Sequence, residues 1–225
     1  MKNIYHSIIL ARGDSKGIKN KNLQILNGKP LIYWSIKKSL ECKKISKTWV
    51  SSDSEKILNL SKNFGANIIK RPRIYSKDSS SSESAWEHAI KYINKEKKIC
   101  NYVVGIQPTS PLRDAKDFER GINIFEKNKL DSLFTSLKIN DYFIWFYKKK
   151  LLANYDYSNR PRRQIIEDKF LENGSFYIFS SSGFLNAKCR LFGKIGTYKM
   201  SKIKSFQVDD KEDLEIIKKL SVNFF

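Results

Sequence analysis

Short apolar runs rich in β-branched residues alternate along this chain with longer stretches whose apolar positions recur every three or four residues. Such alternation marks a mostly parallel sheet covered by helices, an α/β fold. The runs predict strands over 4–10, 47–51, 66–69, 101–107, 132–138, 175–179 and 195–199. The amphipathic stretches predict helices over 30–41, 54–64, 82–97, 114–128 and 210–220. Pro30 suits a first helical turn, after which Leu31, Trp34, Ile36 and Leu40 give one apolar side. Asp53 or Ser54 is placed to cap the next helix, whose Ile57, Leu58 and Leu60 face inward.

Residues 139–172 break this rhythm. They carry Tyr142, Phe143, Trp145, Phe146 and Tyr147, then Arg160, Pro161, Arg162 and Arg163, with no sustained helical period. So many large rings on an irregular segment need a cover, and a partner subunit is a natural one. The expectation is a single domain over 1–225 with an inserted dimerisation arm at 139–172.

Composition narrows the class. With 225 residues, 40% hydrophobic and 13% aromatic, the chain can bury a sizeable core. The net charge of +20 raises a nucleic-acid-binding reading. However, the lysines are spread over every predicted helix, so a solvated basic surface accounts for them better and no nucleic-acid partner is expected. Three widely spaced cysteines, Cys42, Cys100 and Cys189, fit reduced thiols better than a metal cluster or a disulfide framework. Residues 1–7 lack a secretory signal and no run approaches a membrane span, so a cytoplasmic protein is expected.

Candidate chemistry collects where the predicted strands end, which is where ligands bind in open α/β sheets. Directly after Ile8-Ile9-Leu10 comes a basic loop with Arg12, Gly13, Ser15, Lys16, Gly17, Lys19 and Lys21. Glycines let a backbone approach an anion closely and aim its N–H groups at phosphate oxygens, while the cations neutralise charge. The spacing matches neither the P-loop nor the GxGxxG fingerprint. A serine tract at 79–82 offers hydroxyls or a helix cap. Gln107-Pro108-Thr109-Ser110-Pro111-Leu112-Arg113 follows a predicted strand, and its two prolines fix a loop that displays Gln107, Thr109 and Arg113. Before the last helix, Asp210 reads as a cap, and Asp209 as the carboxylate for the divalent cation that a triphosphate brings.

Together, ARGDSKGIKNKN, SSDSEKIL, RPRIYSKDSSSS, QPTSPLR, PRRQ, NGSFYIF and SFQVDDKEDLEI resemble the CMP-N-acetylneuraminate synthetases (acylneuraminate cytidylyltransferases) and their bacterial relatives acting on legionaminic or pseudaminic acid. The resemblance spans about residues 7 to 220. It implies a Rossmann-like nucleotidyltransferase fold, a homodimer with an exchanged arm, and Mg²⁺-dependent transfer of CMP from CTP to a nine-carbon 2-keto sugar acid. Carried over by position, Arg12, Gly13, Ser15, Lys16, Lys21, Asn22 and Ser82 would bind the nucleotide, with Arg12, Lys16 and Lys21 catalytic. Gln107, Thr109, Arg113, Arg163 and Tyr177 would meet the sugar acid, and Asn173-Gly174 matches a family turn.

The chain departs from the family pattern at two positions. Gln207 stands where the family commonly has the first of two acidic metal ligands, leaving Asp209 as the second. Leu171 stands where sialic-acid-specific members can carry an arginine, so the acid is left open. Within the enzyme class the rivals are a CMP-Kdo synthetase or another sugar nucleotidyltransferase of this fold; outside it stand a basic nucleic-acid-binding protein and, because of Gln207, a non-catalytic homologue.

Overall fold

All seven predicted strands join one sheet. A computed structural model describes residues 3–15, 17–77, 79–96, 100–139, 143–162, 167–222 and 224. Its sheet is built from β1 (Tyr5–Leu10), β4 (Ile45–Ser52), β5 (Asn67–Lys70), β6 (Tyr102–Ile106), β7 (Ser132–Ile139), β10 (Lys169–Ser180) and β11 (Ile195–Met200). Spatial order is β11-β7-β10-β6-β1-β4-β5. Neighbours run parallel except at β10, which is antiparallel to both β6 and β7.

Side-chain alternation along the strands supplies two buried faces. Ile9, Val104, Phe176 and Ile178 point to one side. There they meet α1 (Leu31–Glu41), α2 (Glu55–Asn63) and α4 (Ala115–Lys127) through Ile36, Ile57 and Phe118. Ile8, Val103, Tyr177 and Phe179 point to the other side, against α3 (Ser82–Lys95) and α5 (Ser181–Ala187). A third apolar cluster seats α6 (Lys211–Ser221) on Leu31 and Trp34 of α1. Among the described residues no helix is long and apolar enough to cross a membrane.

Capping follows the sequence in part. Asp114 and Asp117 form a capping box on α4, as do Asp210 and Asp213 on α6. Ser81 caps α3 by accepting the Ser84 N–H. At α2 the N-cap is Ser54, but its hydroxyl makes no capping bond, and Pro30 precedes α1 instead of opening it.

The segment 139–172 is more regular than its sequence indicates. Residues Trp145–Lys148 (β8) and Lys150–Ala153 (β9) form an antiparallel hairpin that turns through Lys149 at φ +63°. Both faces of this hairpin are largely exposed, so no polar–apolar alternation betrays it. Lys169–Glu172 already belongs to β10, pairing with the end of β7, so that strand starts earlier than predicted. A two-residue hairpin, β2 (Ile25–Leu26) with β3 (Lys29–Pro30), was also not legible in the sequence.

Candidate active site

From β1 the chain moves outward to β4 and β5, then returns through α3 to β6 on the opposite side of β1. The loops after β1 and β6 therefore diverge, and this switch point is where an open α/β sheet forms its ligand crevice. An open cleft of about 420 Å³ lies there. The first loop contributes Arg12, Ser15, Gly17, Lys21 and Asn22 to its lining, the β6 loop Gln107 and Thr109, and the last segment Asp209. Ser82 lines it from the start of α3.

Two side chains and two glycines hold the basic loop in place. Asn22 is buried and its Nδ2 donates to the Arg12 carbonyl at 3.0 Å. Lys21 Nζ donates to Val208 O and Asp209 Oδ1, both at 3.0 Å. Gly13 stands against Ser54, and its N–H donates to Asp53 Oδ1 at 3.0 Å. That N–H is thus directed at a carboxylate and not at the cleft, contrary to the expectation for this glycine. A β-carbon on Gly17 would collide with the Asp209 carbonyl oxygen. Gly13 does not have a positive φ, so it serves close backbone approach and not an unusual turn.

Arg113 differs most from its expected placement. It is 1% exposed, off the cleft, and its guanidinium donates only within the protein. Nη1 donates to Ser175 O and Oγ at 3.0 and 3.1 Å, while Nη2 donates to Ser35 Oγ and Gln107 O at 2.5 and 2.8 Å. Burial pushes the guanidinium below its ordinary value, offset in part by Asp117. The side chain long enough to reach a substrate instead spans α1, the Gln107 loop and β10. By contrast, the Thr109 hydroxyl has no partner among the described residues.

Loop and strand meet again at β10. The Gln107 N–H donates to Ser175 O at 3.3 Å, and Val208 N–H to Thr109 O at 2.8 Å. Asn173-Gly174 forms an irregularity in the β7–β10 pairing, with Gly174 at φ +61°. A β-carbon on Gly174 would sit 3.3 Å from Gln107 Oε1 and 3.2 Å from Gln207 Nε2. Gln207 donates its amide to the Asn173 carbonyl and does not line the cleft. Tyr177 is 3% exposed and also off the cleft, with its hydroxyl donating to Glu172 Oε1 at 2.5 Å. Lys16 and Arg163 fall outside the described residues.

The cleft also holds groups that were not singled out from the sequence. Arg71, just after β5, is buried and lines it, with Tyr75 and Lys77 beside it, next to Ser80 and Ser81 of the expected serine tract. Arg71 Nε donates to Ser76 Oγ at 3.0 Å, which fixes the 71–77 loop. Burial lowers its pKa, opposed by Asp53 and reinforced by Arg12. The signal was present as a charged residue at a strand end followed by Pro72. Among the described residues, Arg12, Lys21, Arg71 and Lys77 are the cations in this lining and Asp209 is its acid. That balance suits a polyanion. Among the described residues, no three His, Cys, Asp or Glu side chains cluster to hold a metal unaided.

A family model described as cytidylyltransferase matches residues 6–224. The chain belongs to the cytidylyltransferase family. It is 35% identical over 180 residues to the N-acylneuraminate cytidylyltransferase of Oncorhynchus mykiss, covering 77% of this chain and 40% of that protein. It is 28% identical over 224 residues to the pseudaminic acid cytidylyltransferase of Campylobacter jejuni, covering 97% of this chain and 95% of that protein. The chain spans about half the length of the zebrafish and Escherichia coli N-acylneuraminate cytidylyltransferases it also matches. A solved CMP:2-keto-3-deoxy-manno-octonic acid synthetase in complex with CTP superposes with a TM-score of 0.72 at 15% identity, covering 99% of this chain and all of that one. At that identity the likeness shows the fold.

Proposed function

We propose that this protein transfers CMP from CTP to a nonulosonic, sialic-type acid, releasing pyrophosphate. The observation that carries the reading is the switch-point cleft, which Arg12, Lys21, Arg71 and Lys77 line together with the carboxylate of Asp209. The names of the relatives support a nine-carbon keto acid as acceptor.

In this reading Arg12, Ser15, Lys21, Asn22 and Ser82 form the nucleotide side, together with Lys16 by its place in the loop, while Gly13 anchors that loop to Asp53. Gln107 and Thr109 face the acid, joined from the sequence by Arg163, while Tyr177 and Arg113 act from behind the wall. The anomeric hydroxyl of the acid attacks the α-phosphorus in line as the bond to pyrophosphate breaks. The hydroxyl proton passes to water in the open cleft. Catalysis is then positioning plus neutralisation of charge. Arg12 steadies the α-phosphate, and Lys21 offsets the charge gathering on pyrophosphate. Thr109 lines the cleft on this side, and its buried hydroxyl has no partner among the described residues.

The donor set fits Mg²⁺, which takes one or two protein carboxylates and completes its shell with water and phosphate oxygen. Asp209 is 70% exposed at the cleft and would hold it. Gln207 commits its amide nitrogen to Asn173 and would offer at most its oxygen. When bound, the cation supplies charge neutralisation to the phosphates.

The arm reading extends to assembly. Trp145, Phe146, Tyr147, Leu151, Tyr157 and Leu171 are exposed on or beside the β8–β9 hairpin, which supports a homodimer through residues 139–172. Dependence on CTP supports a cytoplasmic location.

Pyrophosphate release with CTP and Mg²⁺ across N-acetylneuraminate, legionaminate, pseudaminate, deaminoneuraminate and Kdo tests the proposal. Release dependent on one of the nine-carbon acids is expected. Release with Kdo alone overturns the acceptor assignment, and release with none overturns the reaction.

A further inference from the structure

Behind the cleft wall, one guanidinium joins the serine tract to β10. Arg190 lies in the loop after α5, and its Nε donates to Glu83 Oε1 at 2.6 Å. The guanidinium carbon stands 4.7 Å from the Trp86 ring centre and 4.8 Å from that of Tyr177. The two rings meet edge to face at 5.9 Å, so the cation is held in the angle between them. Only about a fifth of either partner's side chain is exposed, which shields the pair from the screening that weakens surface salt bridges. A second tie lies one helical turn along, where Lys188 Nζ meets Glu87 Oε1 at 2.6 Å. Glu83 and Glu87 thus form an i, i+4 acidic pair that docks the 188–190 loop on α3.

Each end of this cluster leads to the cleft. Glu83 directly follows Ser82, and Ser80, Ser81, Ser82 and Ala85 all line the cavity. Tyr177 donates to Glu172, which adjoins the Asn173-Gly174 irregularity beside Gln107. Trp86 packs closely on β6 because residue 105 is glycine; a β-carbon there would come within 2.7 Å of the ring. Strand β6 in turn ends at Ile106, directly before Gln107.

We propose that Arg190 is a positioning residue that acts through Glu83, Trp86 and Tyr177 to set the spacing between the serine-tract wall and the Gln107 wall of the cleft. It touches neither substrate in this account. The proposal rests on the cytidylyl-transfer reading above, with Ser82 on the nucleotide side and Gln107 on the acceptor side. Tyr177 then contributes as one wall of the clasp, which accounts for its burial and its position away from the cavity.

The test compares Glu83→Gln, Arg190→Met, Arg190→Lys and the Glu83→Gln/Arg190→Met double variant in steady-state pyrophosphate release, with CTP affinity measured separately by calorimetry. Glu83→Gln and Arg190→Met are expected to lower kcat by about tenfold each, with no further loss in the double variant, because both open the same clasp. Arg190→Lys keeps the charge but loses the planar group stacked on two rings, so it recovers only part of the rate. CTP affinity should weaken by about threefold in Glu83→Gln, a readout that needs no acid. Lower thermal stability with kcat and CTP affinity both at wild-type values makes the tie purely structural and overturns the proposal. A rise confined to the KM for the acid in Arg190→Met, with Glu83→Gln at wild-type values, makes Arg190 a direct ligand and overturns it too. Wild-type protein that neither binds CTP nor turns over refutes the underlying reaction, and the clasp with it. Active wild-type protein with an unaltered Glu83→Gln variant refutes the clasp alone.

Discussion

Lys21 Nζ lies 3.0 Å from Asp209 Oδ1 and 3.0 Å from the Val208 carbonyl, tying the first loop of the chain to the segment before its last helix. A cation expected on the phosphates and the carboxylate expected to hold their divalent cation are therefore neighbours in the fold. Lys21→Ala is expected to reduce pyrophosphate release by about 100-fold through loss of charge stabilisation. Its melting temperature should fall by no more than roughly 3 °C, because Asp209 is largely exposed and such pairs contribute little. Wild-type turnover in this variant contradicts the phosphate role.

Gly17→Ala probes the same junction without touching a charge. The added methyl meets the Asp209 carbonyl oxygen, and backbone cannot swing aside as a side chain can. CTP affinity is expected to drop by about tenfold, a cost on the order of 1.4 kcal/mol, as the basic loop is displaced. Calorimetric titration with CTP reads this directly, and an unchanged dissociation constant shows that the loop adapts.

Much of the architecture is legible in the sequence because buried strands leave continuous apolar runs, as at Ile8-Ile9-Leu10 and Tyr102–Ile106. The hairpin of β8 and β9 is not, since its exposed faces impose no alternation. Helix α5 escapes notice because seven residues with Gly183 and several serines read as a loop. Within the site, residue type marks Arg12, Lys21, Gln107 and Asp209, all of which line the cleft. Arg113 and Arg190 show the limit. A sequence displays a cation after a strand or a helix, but not whether its partners, such as Ser175 or Glu83, arrive from 62 or 107 residues away.

Arg113→Met removes four donated hydrogen bonds and leaves Gln107 O, Ser35 Oγ and the Ser175 acceptors without their donor. Unsatisfied buried acceptors cost about 1–3 kcal/mol each before relaxation, so a net loss near 3 kcal/mol is expected. Urea denaturation measures it. A loss under about 1 kcal/mol contradicts the bracing role, on the same scale.

Acid titration isolates the Glu83–Arg190 pair. Burial raises the Glu83 pKa, but the hydrogen bond and charge of Arg190 outweigh it and leave the carboxyl below its ordinary 4.5. A depressed folded pKa stabilises the protein above the unfolded value and loses that contribution as pH falls through the folded one. The melting-temperature gap between wild type and Glu83→Gln should therefore hold constant from neutral pH to about pH 5 and close as pH falls below the ordinary 4.5. A gap independent of pH through that range contradicts a charged pair.

The central claim, that this cleft moves a cytidylyl group onto a keto acid, is read most directly by phosphorus NMR of the protein with CTP, Mg²⁺ and a nonulosonic acid. The triphosphate resonances should give way to one phosphodiester and one pyrophosphate signal, with Arg12→Ala leaving them in place. Persistence of CTP with every acid offered, or its conversion to CDP and orthophosphate, contradicts the account.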